Sequence, residues 1–160
     1  MKSIVLASSR GIGKGIADEL ESISSEVIRT SSKDLDTSDI DNVKDFVSKN
    51  NETDILVLNT GGPPAKDFYD ITEEEWLKYY NQLFYSFVYM LQNIKVRDGG
   101  YIFLRNLVDD VDELGKTLPM GRVGSVDEIG RFVKSIIEND IKYLTGVTIN
   151  FDGGHSNYVI

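Results

Sequence analysis

The run Ala7-Ser8-Ser9-Arg10-Gly11-Ile12-Gly13 sets two glycines one residue apart, directly before a helical period of apolar residues. At a strand-to-helix turn of this kind glycines let backbone amides approach a pyrophosphate, and the helix N-terminus adds a partial positive charge. Ser8, Ser9, Arg10, Gly11, Ile12 and Gly13 are therefore the candidate phosphate-binding residues. Glycine serves tight turns anywhere, but a place after the first strand and before an amphipathic helix favours a ligand. A P-loop reading of Gly11-Ile12-Gly13-Lys14-Gly15 fails, since no glycine stands five residues before Gly13 and no Ser or Thr follows Lys14. The ribose of such a ligand would be read at the end of the second strand. Ser31, Ser32 and Lys33 stand there, with Arg10 nearby, and these groups favour a 2′-phosphate over a free hydroxyl. Asp34 and Leu35 follow, a carboxylate and a backbone amide suited to adenine. The cofactor expected is NADP, with NAD as the second candidate.

Other chemistries are narrowed by composition. The chain has 160 residues, 17 basic against 26 acidic, and a net charge of -9, a field that repels nucleic acid and anionic lipid. It has no cysteine and a single histidine, His155, which removes thiolate chemistry and multi-histidine metal centres. No metal is expected. Asp109-Asp110 with Asp112-Glu113 lack the spacing of a calcium loop and read as a solvated face. His155 reads as a surface or interface residue. The apolar run Ile4-Val5-Leu6-Ala7 is too short for a signal peptide or a membrane span, and the expectation is a cytoplasmic domain.

The elements that must position these residues alternate along the chain. Ile4–Ala7, Glu26–Thr30, Asp54–Asn59, Tyr101–Leu104 and Val147–Phe151 read as strands, the fourth preceded by a pattern break at Gly99-Gly100. Between them run helical stripes: Ile12, Ile16, Leu20 and Ile23; Ile40, Val43, Phe46 and Val47, with Ser38 as cap; and Ile129, Phe132, Val133, Ile136 and Ile137, with Ser125 and Glu128 as cap. A long helix capped by Thr72 and Glu75 carries Trp76, Tyr80, Leu83, Phe84, Phe87 and Leu91, a stripe read as core or subunit interface. About five strands and four helices in alternation predict an α/β, Rossmann-like, doubly wound parallel sheet, as one domain over 1–160.

These residues resemble the short-chain dehydrogenase/reductase family over nearly the whole chain. Gly11-Ile12-Gly13 matches its nucleotide turn, with Leu6-Ala7 where Thr-Gly is usual. Asn59-Thr60-Gly61-Gly62 resembles its Asn-Asn-Ala-Gly signature, which stabilises the sheet and borders the cofactor. With Pro63-Pro64, Phe68 and Trp76 it is similar to a 3-oxoacyl-carrier-protein reductase-like subgroup. Leu118-Pro119-Met120-Gly121-Arg122-Val123-Gly124 and Asp152-Gly153-Gly154 match the segments flanking the last helix and closing the last strand. The resemblance implies an oxidoreductase moving hydride between the cofactor and a carbonyl or alcohol, with the NADP preference resting on the glycine turn and Ser32-Lys33. It adds Asn59 and Gly61 to the cofactor-binding residues and implies a homo-oligomer, because the long aromatic helix packs between subunits in that family.

The family's catalytic set departs. It uses a tyrosine, a lysine four residues later and an upstream serine, the lysine lowering the tyrosine's pKa. No tyrosine here is followed by lysine at that spacing, and Arg105-Asn106 follow Leu104 where the serine would stand. The asparagine of the long helix is replaced by Leu83. The resemblance thus skips a block between 104 and 105, and Arg105–Leu114 is similar to the substrate-loop region beyond it. No catalytic residue is assigned. Either this sequence omits a segment that the whole molecule carries, or the chain is a catalytically silent dinucleotide-binding module acting as a sensor or partner. Loss of the sixth strand would strand edge amides and apolar surface, which favours omission.

Overall fold

A computed structural model describes residues 1–104, 116 and 118–154. Strands β1 (Lys2–Val5), β2 (Glu26–Arg29), β3 (Glu52–Leu58) and β4 (Lys95–Leu104) form one parallel sheet in the order β2-β1-β3-β4. Ile4 is paired with Ile28 on one side and Leu56 on the other, so β1 lies at the centre. Strands buried on both faces need apolar residues at consecutive positions, and Ile55, Leu56, Val57 and Leu58 are fully buried.

Alternation along the strands divides the core into two layers. Ile4, Leu56 and Leu58 pack with Val43 and Val47 of α2 (Ile40–Lys49) and with Phe87 and Met90 of a later helix (Ser86–Asn93). Val5, Ile55 and Val57 pack with Ile16, Ala17 and Leu20 of α1 (Gly11–Leu20) and with Val133 and Ile137 of the last helix (Val126–Glu138). Helices on both faces of a parallel sheet make the expected doubly wound α/β fold. In chain order the helices after α2 are α3 (Glu73–Tyr80), α4 (Ser86–Asn93) and α5 (Val126–Glu138). The expected long helix is α3 and α4 joined without a break by one π-turn, Asn81–Tyr85. Of its stripe Phe87 is core, whereas Trp76, Tyr80, Phe84 and Leu91 stay largely exposed.

Three expectations are corrected. Gly99-Gly100 do not end a pattern but lie inside β4, at a bulge where the pairing skips from Thr53–Val96 to Ile55–Tyr101. Gly99 has a φ of 79°, and a Cβ on Gly100 would stand 2.3 Å from the Asp54 carbonyl oxygen. The cap of α2 is Asp39, whose Oδ1 accepts from the amides of Asp41 and Asn42. Ser38 is unavailable for that role because its amide and hydroxyl both donate to Asp36. Residues 147–151 form no strand: among the described residues β4 is the edge of the sheet and offers them no pairing, and Val147, Ile149 and Phe151 lie about half exposed. The readings of residues 105–114 and of His155 fall outside the described residues.

Candidate functional site

Loops at the C-terminal edge of β1, β2 and β3 meet around the glycine turn. Beyond β1 the Leu6 amide donates to the Val57 carbonyl at 3.0 Å. Ala7 then takes a φ of 47°, an uncommon conformation for a non-glycine residue, and its amide donates to Thr30 Oγ1 at 3.2 Å. Ser8 is buried: its amide donates to the Thr30 carbonyl at 2.7 Å and its hydroxyl to the Val5 carbonyl at 2.9 Å. Ser8 thus anchors the turn to β1 and β2. Ser9, Arg10 and Gly11 are exposed, while Ile12 is half-buried against the core.

The three glycines of this run do different work. Gly11 has a φ of 56°, and a Cβ there would meet nothing within 4 Å. Gly13 has no such room, for a Cβ would stand 2.3 Å from the Ala7 carbonyl oxygen and 2.8 Å from Asn59 Nδ2. Gly15 lets α5 approach α1: a Cβ would lie 2.7 Å from the Val126 carbonyl oxygen, and one on Gly130 would lie 2.5 Å from that of Gly15. Only Gly11 is open to a ligand.

The N-terminus of α1 suits an anion. Arg10 at its N-cap is extended and makes no side-chain capping bond, and the first turn holds no acidic residue. The first amides of a helix have no intrahelical partner, and the macrodipole there favours negative charge. By contrast α3 and α5 each close their first amides with a capping box, Thr72 with Glu75 and Ser125 with Glu128. Arg122 further engages Glu128 through two bonds of 2.7 and 2.9 Å, and these hold its carboxyl down at about 2.

After β2 the chain folds back on itself. Asp34 Oδ2 accepts from the Ser31 hydroxyl at 2.6 Å and the Ser31 amide at 2.9 Å, which keeps its carboxyl below the usual range. The Leu35 amide donates to the Ser31 carbonyl, and the Leu35 side chain joins the core. Both groups expected to meet adenine are thus engaged within the turn. Ser32 and Lys33 are left exposed at its tip.

Asn59 follows β3 directly, beneath the glycine turn. Its Nδ2 donates long bonds of 3.4 Å to the Leu6 and Ala7 carbonyls, tying β3 to the turn. Its Oδ1 is buried without a hydrogen-bond partner, and such an atom is costly unless something satisfies it. Gly61 is exposed, and its carbonyl accepts from Gln82 Nε2 at 2.7 Å. A hydrogen bond therefore joins Asn59 directly to Ala7, and Ala7 and Ser8 both bond to Thr30, which leads into the turn that carries Ser32 and Lys33.

These residues fit a dinucleotide. An open glycine, an uncapped helix start and an unpartnered buried acceptor lie on one edge, with Arg10 and Lys33 as exposed cations. A catalytic tyrosine is another matter. Tyr101 has a lysine nearby, but its hydroxyl donates to Asp140 at 3.1 Å, and burial followed by that carboxylate pushes its phenol up rather than down. It lines a cleft with Met1, Asp54 and Lys142 at the opposite end of the sheet. Among the described residues no group of three or more His, Asp or Glu could hold a metal, and no helix is long and apolar enough to cross a membrane. Sequence reasoning missed Gly130, Gln82 and Thr37. Gly130 leaves a trace as a glycine inside a helical stripe; the other two leave none.

Comparison with known proteins follows the same lines. No protein-family model matches the chain. The 3-oxoacyl-(acyl-carrier-protein) reductase FabG of Buchnera aphidicola subsp. Baizongia pistaciae (strain Bp) is 22% identical over 234 residues, spanning 95% of this chain and 96% of that protein. The matched length exceeds the 160 residues here, so the relative carries residues within the span that this chain lacks. Among solved structures, a small-chain dehydrogenase superposes with a TM-score of 0.79 at 21% identity, covering 97% of this chain and 98% of that one. A small-chain dehydrogenase in complex with NADPH gives 0.76 at 22% identity, covering 96% and 97%. The fold is shared with these structures, and the resemblance to short-chain dehydrogenases/reductases is borne out in sequence and in fold.

Proposed function

We propose that the chain is the dinucleotide-binding frame of an NADP(H)-dependent oxidoreductase of the short-chain dehydrogenase/reductase type. The observation that carries this is the start of α1, left without a side-chain cap or acidic residue beside the open Gly11. The amides around Ser9–Gly13 would hold the pyrophosphate, and Arg10, Ser32 and Lys33 would hold a 2′-phosphate. Asp34 and Leu35 shape the turn that presents Ser32 and Lys33 towards the adenosine half. Asn59 and Gly61 would border the other half, the buried Asn59 Oδ1 accepting from a bound group or an ordered water. The cofactor supplies the hydride that a carbonyl substrate takes up, or accepts it from an alcohol.

The acid–base residues belong, in this reading, to a segment between 104 and 105 that the chain omits. The open edge of β4, with Ile102 and Leu104 50% and 67% exposed, supports a missing neighbour. The relative's longer match supports the same conclusion. The exposed Trp76, Tyr80 and Phe84 support contact with a second subunit.

The test is the intact mass of the protein from its natural source, followed by NADPH oxidation against ketones and 3-oxoacyl thioesters. A mass well above 17.9 kDa with turnover of one of them is the expected result. A mass at that value, with binding and no turnover, would leave a silent dinucleotide-binding module instead.

A further inference from the structure

One side chain holds the turn after β3 from outside the sheet. Gln82 Nε2 donates to the Gly61 carbonyl at 2.7 Å and to Thr60 Oγ1 at 3.4 Å. Thr60 Oγ1 lies 3.2 Å from Thr37 Oγ1, and Thr37 is buried in the loop that follows the Ser31–Asp34 turn. The neighbouring Asn81 donates from Nδ2 to the Ser38 carbonyl at 3.5 Å. A line of hydrogen bonds thus joins the loop after β2, the turn after β3 and the long helix. Gln82 is able to join it because it sits in the π-turn Asn81–Tyr85. A π-turn adds a residue to the helical repeat and re-aims the side chains it carries. The buried Ser86 hydroxyl donates to the Gln82 carbonyl at 3.2 Å and so helps satisfy the widened turn.

The consequence rests on the dinucleotide reading above. With the pyrophosphate at the start of α1 and the adenosine half towards β2, the second half runs the other way across the edge, over the end of β3. That is where Asn59, Thr60 and Gly61 lie. We propose that Gln82 is a positioning residue: it fixes the Thr60–Gly61 turn against which the nicotinamide half of the dinucleotide packs.

Gln82→Met keeps the length of the side chain and removes its donor. The experiment measures the affinity of the folded wild type and variant for NADPH and for 2′,5′-ADP, which carries only the adenosine half. NADPH binding should weaken about fivefold to tenfold, the worth of one hydrogen bond, while 2′,5′-ADP binding stays unchanged. Equal losses for both ligands, or no loss for either, would overturn the proposal. If Gln82→Met fails to fold, Gln82→Glu serves in its place, since a carboxylate facing the Gly61 carbonyl also lacks the donor. A folded wild type that binds neither ligand would overturn the functional reading, and this proposal with it.

Discussion

Residues 2–59 and residues 141–151 are both rich in aliphatic side chains, yet only the first set is covered. In the first, Ile4, Val5, Ile55 and Leu56 have no exposed surface, because parallel neighbours take their amides and helices take both faces. In the second, Val147, Ile149 and Phe151 keep about half their surface, and the ring of Phe151 meets that of Phe132 at 5.5 Å between centroids. The difference is not one of hydrophobicity. A β-branched run becomes a strand when another strand offers it hydrogen bonds, and among the described residues β4 is the edge strand, with no partner beyond it. The covered region carries most of the proposed dinucleotide edge; the uncovered one marks the side on which a catalytic segment would belong.

The contrast can be broken by substitution. Gly13→Val should be the most damaging change, since its side chain would drive into the Ala7 carbonyl and Asn59. A loss of about 3 kcal/mol or more in chemical denaturation is expected from such overpacking. Leu56→Ala, in the fully buried β3, should cost about 3 kcal/mol by cavity formation. Ile149→Ala should change stability by less than about 0.5 kcal/mol, as at an exposed site. If the two aliphatic truncations cost the same, residues 141–151 are covered in solution and the contrast fails.

How much of this was legible in the sequence follows the same division. The glycine turn, the doubly wound order and the capping boxes at Thr72 and Ser125 are local patterns, and the structure keeps them. Ser38 misled because Asp36, two residues earlier, competes for its hydroxyl. Gly99-Gly100 misled because a bulge and a chain break use the same residues. Val147–Phe151 has the pattern of a strand, but pairing is a property of the neighbour and not of the run itself. Gln82 and Thr37 lie 21 and 23 residues from the groups they hold, a separation at which no local pattern signals contact.

Two smaller effects sharpen the frame. Lys33→Asp should weaken NADPH by about tenfold, by loss of a charge-assisted bond to the 2′-phosphate, and NADH by less. Equal losses in a fluorescence titration would remove Lys33 from the ribose site. The Arg122–Glu128 pair should leave a slight pH signature. Glu128 has its folded pKa depressed to about 2, so its contribution is present above its unfolded value, near 4.5, and is lost as pH falls through about 2. The melting temperatures of wild type and Glu128→Gln should therefore converge between those values, and a constant gap would contradict the assignment.

The central claim is that the edge formed by Ser9–Gly13, Ser32–Lys33 and Asn59–Gly61 holds an NADP-type dinucleotide. Titrating NADPH into the folded 160-residue chain, read by the nucleotide's own fluorescence, tests it most directly. Saturable binding that Lys33→Asp weakens is the predicted result. A folded chain that leaves the emission of both NADPH and NADH unchanged at every concentration, with no binding by calorimetry, would contradict it.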